Sequence, residues 1–150
     1  MKGVLIKEQM SGWLQLDNEP DARDFSFNIE AFTPHIFRLQ TPRYFTGTAW
    51  LSGEGECRVS GTLTLHPGGP EYQCELHTRE LGILSISGRK TYRLNNLHYS
   101  LIHCPLTVSQ HGQRKGVALL AYRDSVLAFP FRALSLCDAP DWYNGREVLL

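Results

Sequence analysis

Alternation of apolar and polar residues over positions 57–66 constrains the fold of this chain more than any other sequence feature. Successive side chains of a strand point to opposite faces of a sheet, so a period of two is typical of a half-buried strand. The intervening positions are polar, and the apolar face carries Cys57, Val59, Gly61, Leu63 and Leu65. The segment therefore predicts a β-strand with one dry face.

A tight turn is predicted directly after this strand, where residues 67–70 read PGGP. Proline fixes φ and lacks a ladder donor, while glycine accepts positive φ, so the chain has to reverse there. The residues that follow alternate again, with Tyr72, Cys74 and Leu76 on the apolar face. Because so short a loop joins neighbouring antiparallel strands, the two segments predict a β-hairpin.

Similar alternating runs recur along the chain between short turn signals. They lie at residues 12–17, 24–30, 44–52, 83–92, 98–109, 115–123 and 126–137. Close spacing of strands favours an antiparallel sheet over βαβ units. One short helix is predicted within residues 31–40 from the spacing of Phe32, Ile36, Phe37 and Leu39. We therefore predict one all-β domain over residues 1–150, an antiparallel barrel or strongly curled sheet of about nine strands with one short helix.

The net charge of the chain and the length of its apolar stretches exclude some classes of binding partner. Fifteen Lys and Arg residues balance fifteen Asp and Glu residues, which removes the electrostatic attraction that dominates binding to nucleic acid. The chain begins with an apolar run of only three residues, and its apolar stretches fall short of a membrane span. We therefore expect a cytoplasmic protein with no nucleic-acid partner and no membrane span.

Sequence motifs for metals, cofactors and nucleophilic catalysis are not found. No phosphate-binding loop, dinucleotide fingerprint or nucleophile elbow is present. His98 and His103 are five residues apart, so a continuous strand points them to opposite faces. The cysteines lack the paired spacing of a zinc site or a redox motif; they are Cys57, Cys74, Cys104 and Cys137. We expect reduced cysteines, no metal, no cofactor and no catalytic residue that a motif reveals.

Two adjacent cations, Arg89 and Lys90, follow the apolar run at residues 81–86 and form the candidate ligand site. Because side chains alternate along a strand, one cation is expected to face the barrel interior and the other the solvent. An inward cation at a barrel mouth would anchor the acidic head of an otherwise apolar ligand, with Tyr92 and Tyr99 supplying wall and hydroxyl groups. The alternative is a solvated strand end whose apolar stems lie along the surface.

The same region resembles a known family. Residues 81–90 read LGILSISGRK, similar to a G-x-L-x-L-S-G-x-K run in the accessory β domain of cholesterol-oxidase-like bacterial proteins of the glucose-methanol-choline oxidoreductase family. The likeness extends from residues 10–13 through 47–49 to 124–136. Where that family carries D-x-W-x-D-T-T-T-L, this chain has NNLHYSLI at residues 95–102, without the acids and the tryptophan. The resemblance implies a calycin-like barrel associated with lipid or sterol metabolism and without a flavin site of its own.

Three functions are consistent with the sequence. The preferred interpretation is a non-catalytic binding module for a small, largely apolar ligand of the lipid or sterol class. The first alternative is an interaction or regulatory subunit that docks on an oxidoreductase partner through Trp142, Tyr143 and residues 148–150. The second alternative is a small barrel enzyme, an isomerase or hydrolase. Its candidate acids and bases are Lys90, Tyr92, His98 and Asp124.

Overall fold

The computed structural model describes residues 2–34, 38, 40–90, 95, 103–122 and 134–143. Within these residues the chain forms a single antiparallel sheet of nine strands. The strands are β1 (Lys2–Leu16), β2 (Arg23–Thr33), β3 (Arg43–Leu51), β4 (Gly55–His66), β5 (Gly69–His77), β6 (Ile83–Arg89), β7 (His103–Gln110), β8 (Gln113–Tyr122) and β9 (Leu134–Asp138).

The sheet closes on itself as an eight-stranded barrel. Strands β2 to β8 follow one another in chain order, β1 lies beside β8, and β1 also pairs with β2. Strands β8 and β9 pair with the same edge of β1. β8 pairs with residues 10–16 and β9 pairs with residues 2–6, so β9 lies beyond the end of β8 along that edge. Closure removes the free edges of an open sheet. The predicted all-β antiparallel barrel is confirmed.

The predicted short helix is wrong for the part of residues 31–40 that the structure describes. Ala31, Phe32 and Thr33 are the last residues of β2 and pair with β1. Ala31 faces the barrel interior, whereas Phe32 is buried on the outer wall beneath Tyr143. Both faces of this strand end are covered, so its apolar residues do not alternate with polar ones. Residues 35–37 and 39 lie outside the described residues.

Inward side chains fill the barrel with one continuous apolar cluster. The alternation predicted for β4 is present, with Cys57, Val59 and Leu63 in this cluster. Gly61, on the same face, lies where the neighbouring strand comes very close: a Cβ atom there would lie 2.1 Å from the carbonyl oxygen of Gln73 on β5. Glycine permits this close approach of two backbones, which strong curling of the sheet requires.

The two ends of the barrel differ in the connections that leave them. At the short-turn end, residues 17–22, 52–54, 78–82 and 111–112 join consecutive strands. At the opposite end, residues 34–42, 90–102 and 123–133 separate consecutive strands in the sequence, and the tight hairpin at residues 67–68 joins β4 to β5. We call this the long-connection end. Binding residues concentrate where longer connections meet a rigid scaffold.

Glu54 anchors the short-turn end. Its buried carboxylate accepts hydrogen bonds from the backbone N–H groups of Arg79 at 3.0 Å, Glu80 at 3.2 Å and Leu81 at 3.1 Å. The β3–β4 turn thereby holds the β5–β6 connection. No helix in the described part of the chain is both long enough and apolar enough to cross a membrane.

Candidate functional site: a buried charge cluster in the barrel

A carboxylate lies inside the barrel near its long-connection end. Glu8 is an inward residue of β1 and is only 5% exposed. The hydroxyl of Tyr122 on β8 donates a hydrogen bond to its Oε1 at 2.9 Å, and the hydroxyl of Tyr72 on β5 donates a short one to its Oε2. Each carboxylate oxygen therefore has a phenolic donor.

One of these hydrogen bonds crosses the lumen, and the other joins the neighbouring strands β1 and β8. In the closed strand order β5 lies directly opposite β1, with three strands between them on either side. The Tyr72–Glu8 hydrogen bond thus spans the barrel, and the hydroxyl oxygens of Tyr72 and Tyr122 are 3.3 Å apart. Glu8, Tyr72 and Tyr122 thus form a polar layer across the lumen. Toward the short-turn end the lumen is filled by apolar side chains, among them Met10, Leu14 and Leu120, which have no exposed surface.

Lys90 adds a cation to the same layer. It follows β6 directly, its backbone N–H donates to the carbonyl oxygen of Pro70 at 2.8 Å, and its side chain has no exposed surface. Its Nζ lies 4.1 Å from the ring centroid of Tyr122, where the face of the ring attracts a cation. Continuing the β6–β7 register places Lys90 across from Cys104. Glu8, Tyr72, Tyr122, Lys90 and Cys104 are called the charge cluster below.

The predicted ligand residues separate into three groups. Lys90 faces the interior and Arg89 faces the solvent, in the alternating manner of a strand. Tyr92 and Tyr99 lie outside the described residues. Among the described residues, the ring of Tyr122 lies beside Lys90, and the hydroxyl of Tyr122 is 3.3 Å from that of Tyr72.

Sequence reasoning missed Glu8, although a signal for it exists. It is the only charged residue among the inward positions Ile6, Glu8 and Met10 of β1, all of which are buried. A charged residue at an inward position interrupts the alternation of apolar and polar residues. For this reason the first half of β1 was not among the predicted strands. The same interruption indicates a buried carboxylate, and a buried carboxylate with a perturbed pKa is a candidate for a functional site.

Burial moves the charge cluster toward neutral forms. It raises the pKa of Glu8, although hydrogen bonds from Tyr72 and Tyr122 and the nearby Lys90 oppose that rise. Burial also lowers the pKa of Lys90 to about 8. The pKa values of both phenols are raised well above their ordinary value, first by burial and then by the charge of Glu8. The pKa values of the Glu8 carboxyl group and the Lys90 amine are thus shifted toward each other, which is typical of functional sites.

Cys104 and Arg43 complete the polar groups at this end. Burial raises the pKa of the Cys104 thiol to about 12, so the thiol is protonated at neutral pH. Arg43 is buried at the start of β3, and its guanidinium donates to the carbonyl oxygens of Thr41 at 3.1 Å and Arg38 at 3.4 Å. Within the described ranges no group of three or more His, Cys, Asp or Glu residues could hold a metal ion.

Two of the residues assigned to a docking surface pack on the barrel instead. Tyr143 is 2% exposed and its ring meets that of Phe32 edge-on at 4.8 Å. The indole Nε1 of Trp142 donates to Glu30 Oε2 at 3.3 Å. Tyr143 is therefore part of the outer wall, and assigning it to an exposed surface was wrong. His98, Asp124 and residues 148–150, also named from the sequence, lie outside the described residues.

Neither a family model, nor a curated protein, nor a solved structure matches this chain. The resemblance to the accessory domain of cholesterol-oxidase-like proteins remains a prediction. Function must be argued from the chemistry of the site, since a barrel fold hosts many functions.

Proposed function

We propose that this protein is a non-catalytic binding module for a small, largely apolar ligand of the lipid or sterol class, whose polar head contacts the charge cluster. The observation that carries the proposal is the burial of Glu8 and Lys90 in an otherwise apolar lumen. Taking each ion out of water costs several kcal/mol, and apolar side chains of similar volume would often be as stable or more so. Recognition of a polar group on a ligand would explain why Glu8 and Lys90 are present in the lumen.

Apolar side chains flank the cluster on the side of the longer connections. Ile6 is buried, and Val4 and Leu65 are half-buried against the apolar core. The lumen on the other side of the cluster is filled, so the tail of a ligand would extend toward the long-connection end. A dry wall beside a few convergent polar groups is the usual composition of a small-molecule site.

The presence of Glu8 favours a neutral head over the acidic head expected from the sequence. A ligand carboxylate would bring a second negative charge to a site that already contains one, and like charges repel strongly at low dielectric. A hydroxyl or carbonyl oxygen accepts a hydrogen bond from Lys90 without that repulsion. We therefore propose a neutral, oxygen-bearing head, such as that of a sterol or a fatty alcohol or aldehyde.

Titration with two fluorescent probes tests the proposal. Dehydroergosterol carries a hydroxyl head, and a fluorescent fatty acid carries a carboxylate. We expect saturable micromolar binding of the sterol, weaker binding of the acid, and a loss of about tenfold in sterol affinity for Lys90→Met, since one hydrogen bond is worth about 1–1.5 kcal/mol. Arg89→Met removes the neighbouring outward cation and serves as the matched control. Absence of saturable binding for both probes overturns the proposal.

A second candidate, docking on a partner protein, is favoured by an apolar row on the outer wall. Trp13 on β1, Leu119 on β8 and Pro105 on β7 are register partners, and Trp13 is 38% exposed. Interface cores are enriched in such aromatic residues. If docking is the function, Trp13→Ser abolishes co-elution with an oxidoreductase partner and leaves sterol binding intact. Retention of co-elution by that variant would exclude this surface.

A further inference from the structure

We infer that Lys90 forms a reversible imine with an aldehyde or ketone at the head of the ligand, so that the charge cluster is a carbonyl-binding site. The inference rests on the proposed binding function and goes further by naming the functional group of the ligand. It is drawn from the placement of an amine, a carboxyl group and two phenols in one enclosed part of the lumen.

The cluster supplies what imine formation requires. The Nζ of Lys90 lies over the ring of Tyr122, and the hydroxyl of Tyr122 is hydrogen-bonded to Glu8. Condensation needs a nucleophilic amine, an acid that protonates the departing hydroxyl, and a dry site, because water hydrolyses the product. Buried lysines are the usual source of such an amine.

The chemistry balances with the groups present. A proton first passes from the Lys90 ammonium to the Glu8 carboxylate. Neutral Lys90 then attacks the carbonyl carbon, a C–N bond forms, and a proton passes from nitrogen to the former carbonyl oxygen. Protonated Glu8 then gives its proton to that hydroxyl, the C–O bond breaks, and water leaves. The products are a protonated imine on Lys90 and the Glu8 carboxylate as its counterion. No oxidant or reductant is consumed.

Burial makes the neutral forms of both groups more accessible than they are in water. It raises the pKa of Glu8 and lowers that of Lys90 to about 8. At about pH 7.5 the fraction of neutral amine is then on the order of a hundred times that of a lysine with its ordinary pKa. Lys7 and Lys115 are exposed, and they provide internal controls in the same molecule.

Reductive trapping with decanal tests the inference. Sodium cyanoborohydride reduces an imine to a stable secondary amine, and peptide mass spectrometry resolves the rate at each lysine. We expect Lys90 to be alkylated at least about tenfold faster than Lys7 or Lys115, because the apolar wall of the lumen holds the tail of decanal and places its carbonyl group beside the buried amine. Glyoxylate, a charged aldehyde without an apolar tail, should lose this preference for Lys90. Alkylation of Lys90 no faster than that of Lys7 and Lys115 by decanal overturns the inference.

Decanol separates the inference from the proposed function, because it has the same tail but cannot form an imine. Displacement of dehydroergosterol by decanol, without trapping of decanal at Lys90, overturns the imine and leaves the binding function intact. Failure of both the sterol and decanol to bind overturns the binding function itself. Glu8→Gln should slow the trapping of decanal at Lys90, because the acid that protonates the departing hydroxyl is gone; if that variant does not fold, the comparison of lysines in the wild-type protein still decides.

Discussion

Replacing Lys90 by methionine perturbs the charge balance of the barrel interior at a single group. Without the ammonium, Glu8 remains buried between Tyr72 and Tyr122 and has either to stay charged without a cation or to take up a proton. Proton uptake at about pH 7 by a carboxyl group with an ordinary pKa of about 4.3 costs about 3.7 kcal/mol, since each pKa unit corresponds to about 1.36 kcal/mol. This value is an upper limit on the destabilisation. Glu8 takes up the proton only where that costs less free energy than leaving its charge buried without a cation.

We expect Lys90→Met to lower the free energy of unfolding by about 2–3.5 kcal/mol at neutral pH, consistent with the loss of one partner of a buried pair. The loss should depend on pH. A carboxyl group whose folded pKa is raised contributes stability that is complete below its unfolded pKa and is lost as the pH rises through its folded pKa. At about pH 5 the proton uptake costs only about 1 kcal/mol, so the variant should approach the wild type.

Urea unfolding followed by tryptophan fluorescence at both pH values measures this difference. The denaturant slope should stay constant if the variant remains two-state. Arg89→Met is the matched control, because Arg89 is the neighbouring cation but is exposed; its effect should stay within about 0.5 kcal/mol at either pH. An equal loss for Lys90→Met at both pH values would refute the reasoning, since it would show a packing defect and no unbalanced Glu8.

Three further variants test the packing of the barrel, each by urea unfolding. Leu63→Ala should cost about 2–5 kcal/mol, as truncation of a fully buried leucine does, and a loss below about 0.5 kcal/mol would place its face in solvent. Gly61→Ala should cost about 1–3 kcal/mol or more because its Cβ would meet the Gln73 carbonyl oxygen; wild-type stability would contradict this close approach. Glu54→Ala should cost at least about 2 kcal/mol by leaving backbone donors unsatisfied, whereas the exposed neighbour Glu56→Ala should be nearly neutral.

Local patterns predicted the strands where one face of the sheet meets the core and the other meets solvent. Cys57, Val59 and Leu63 follow this rule on β4, and the inward and outward placement of Lys90 and Arg89 follows from the same pleat. The alternation of apolar and polar residues is lost where both faces of a strand are covered. At Phe32 the outer wall is covered by another part of the chain, and such a contact has no signature within the strand itself.

The sequence by itself determined that the chain is an antiparallel all-β protein and that one of two adjacent cations points inward, because both follow from the pleat of single strands and from short turns. Only the tertiary structure decided what that cation meets. Glu8 and Tyr72 are 64 residues apart and come together because closure at eight strands sets β1 opposite β5. The number of strands that close a barrel, and their stagger, are properties of the whole sheet. No segment encodes them alone, so the charge cluster arises with the closed fold.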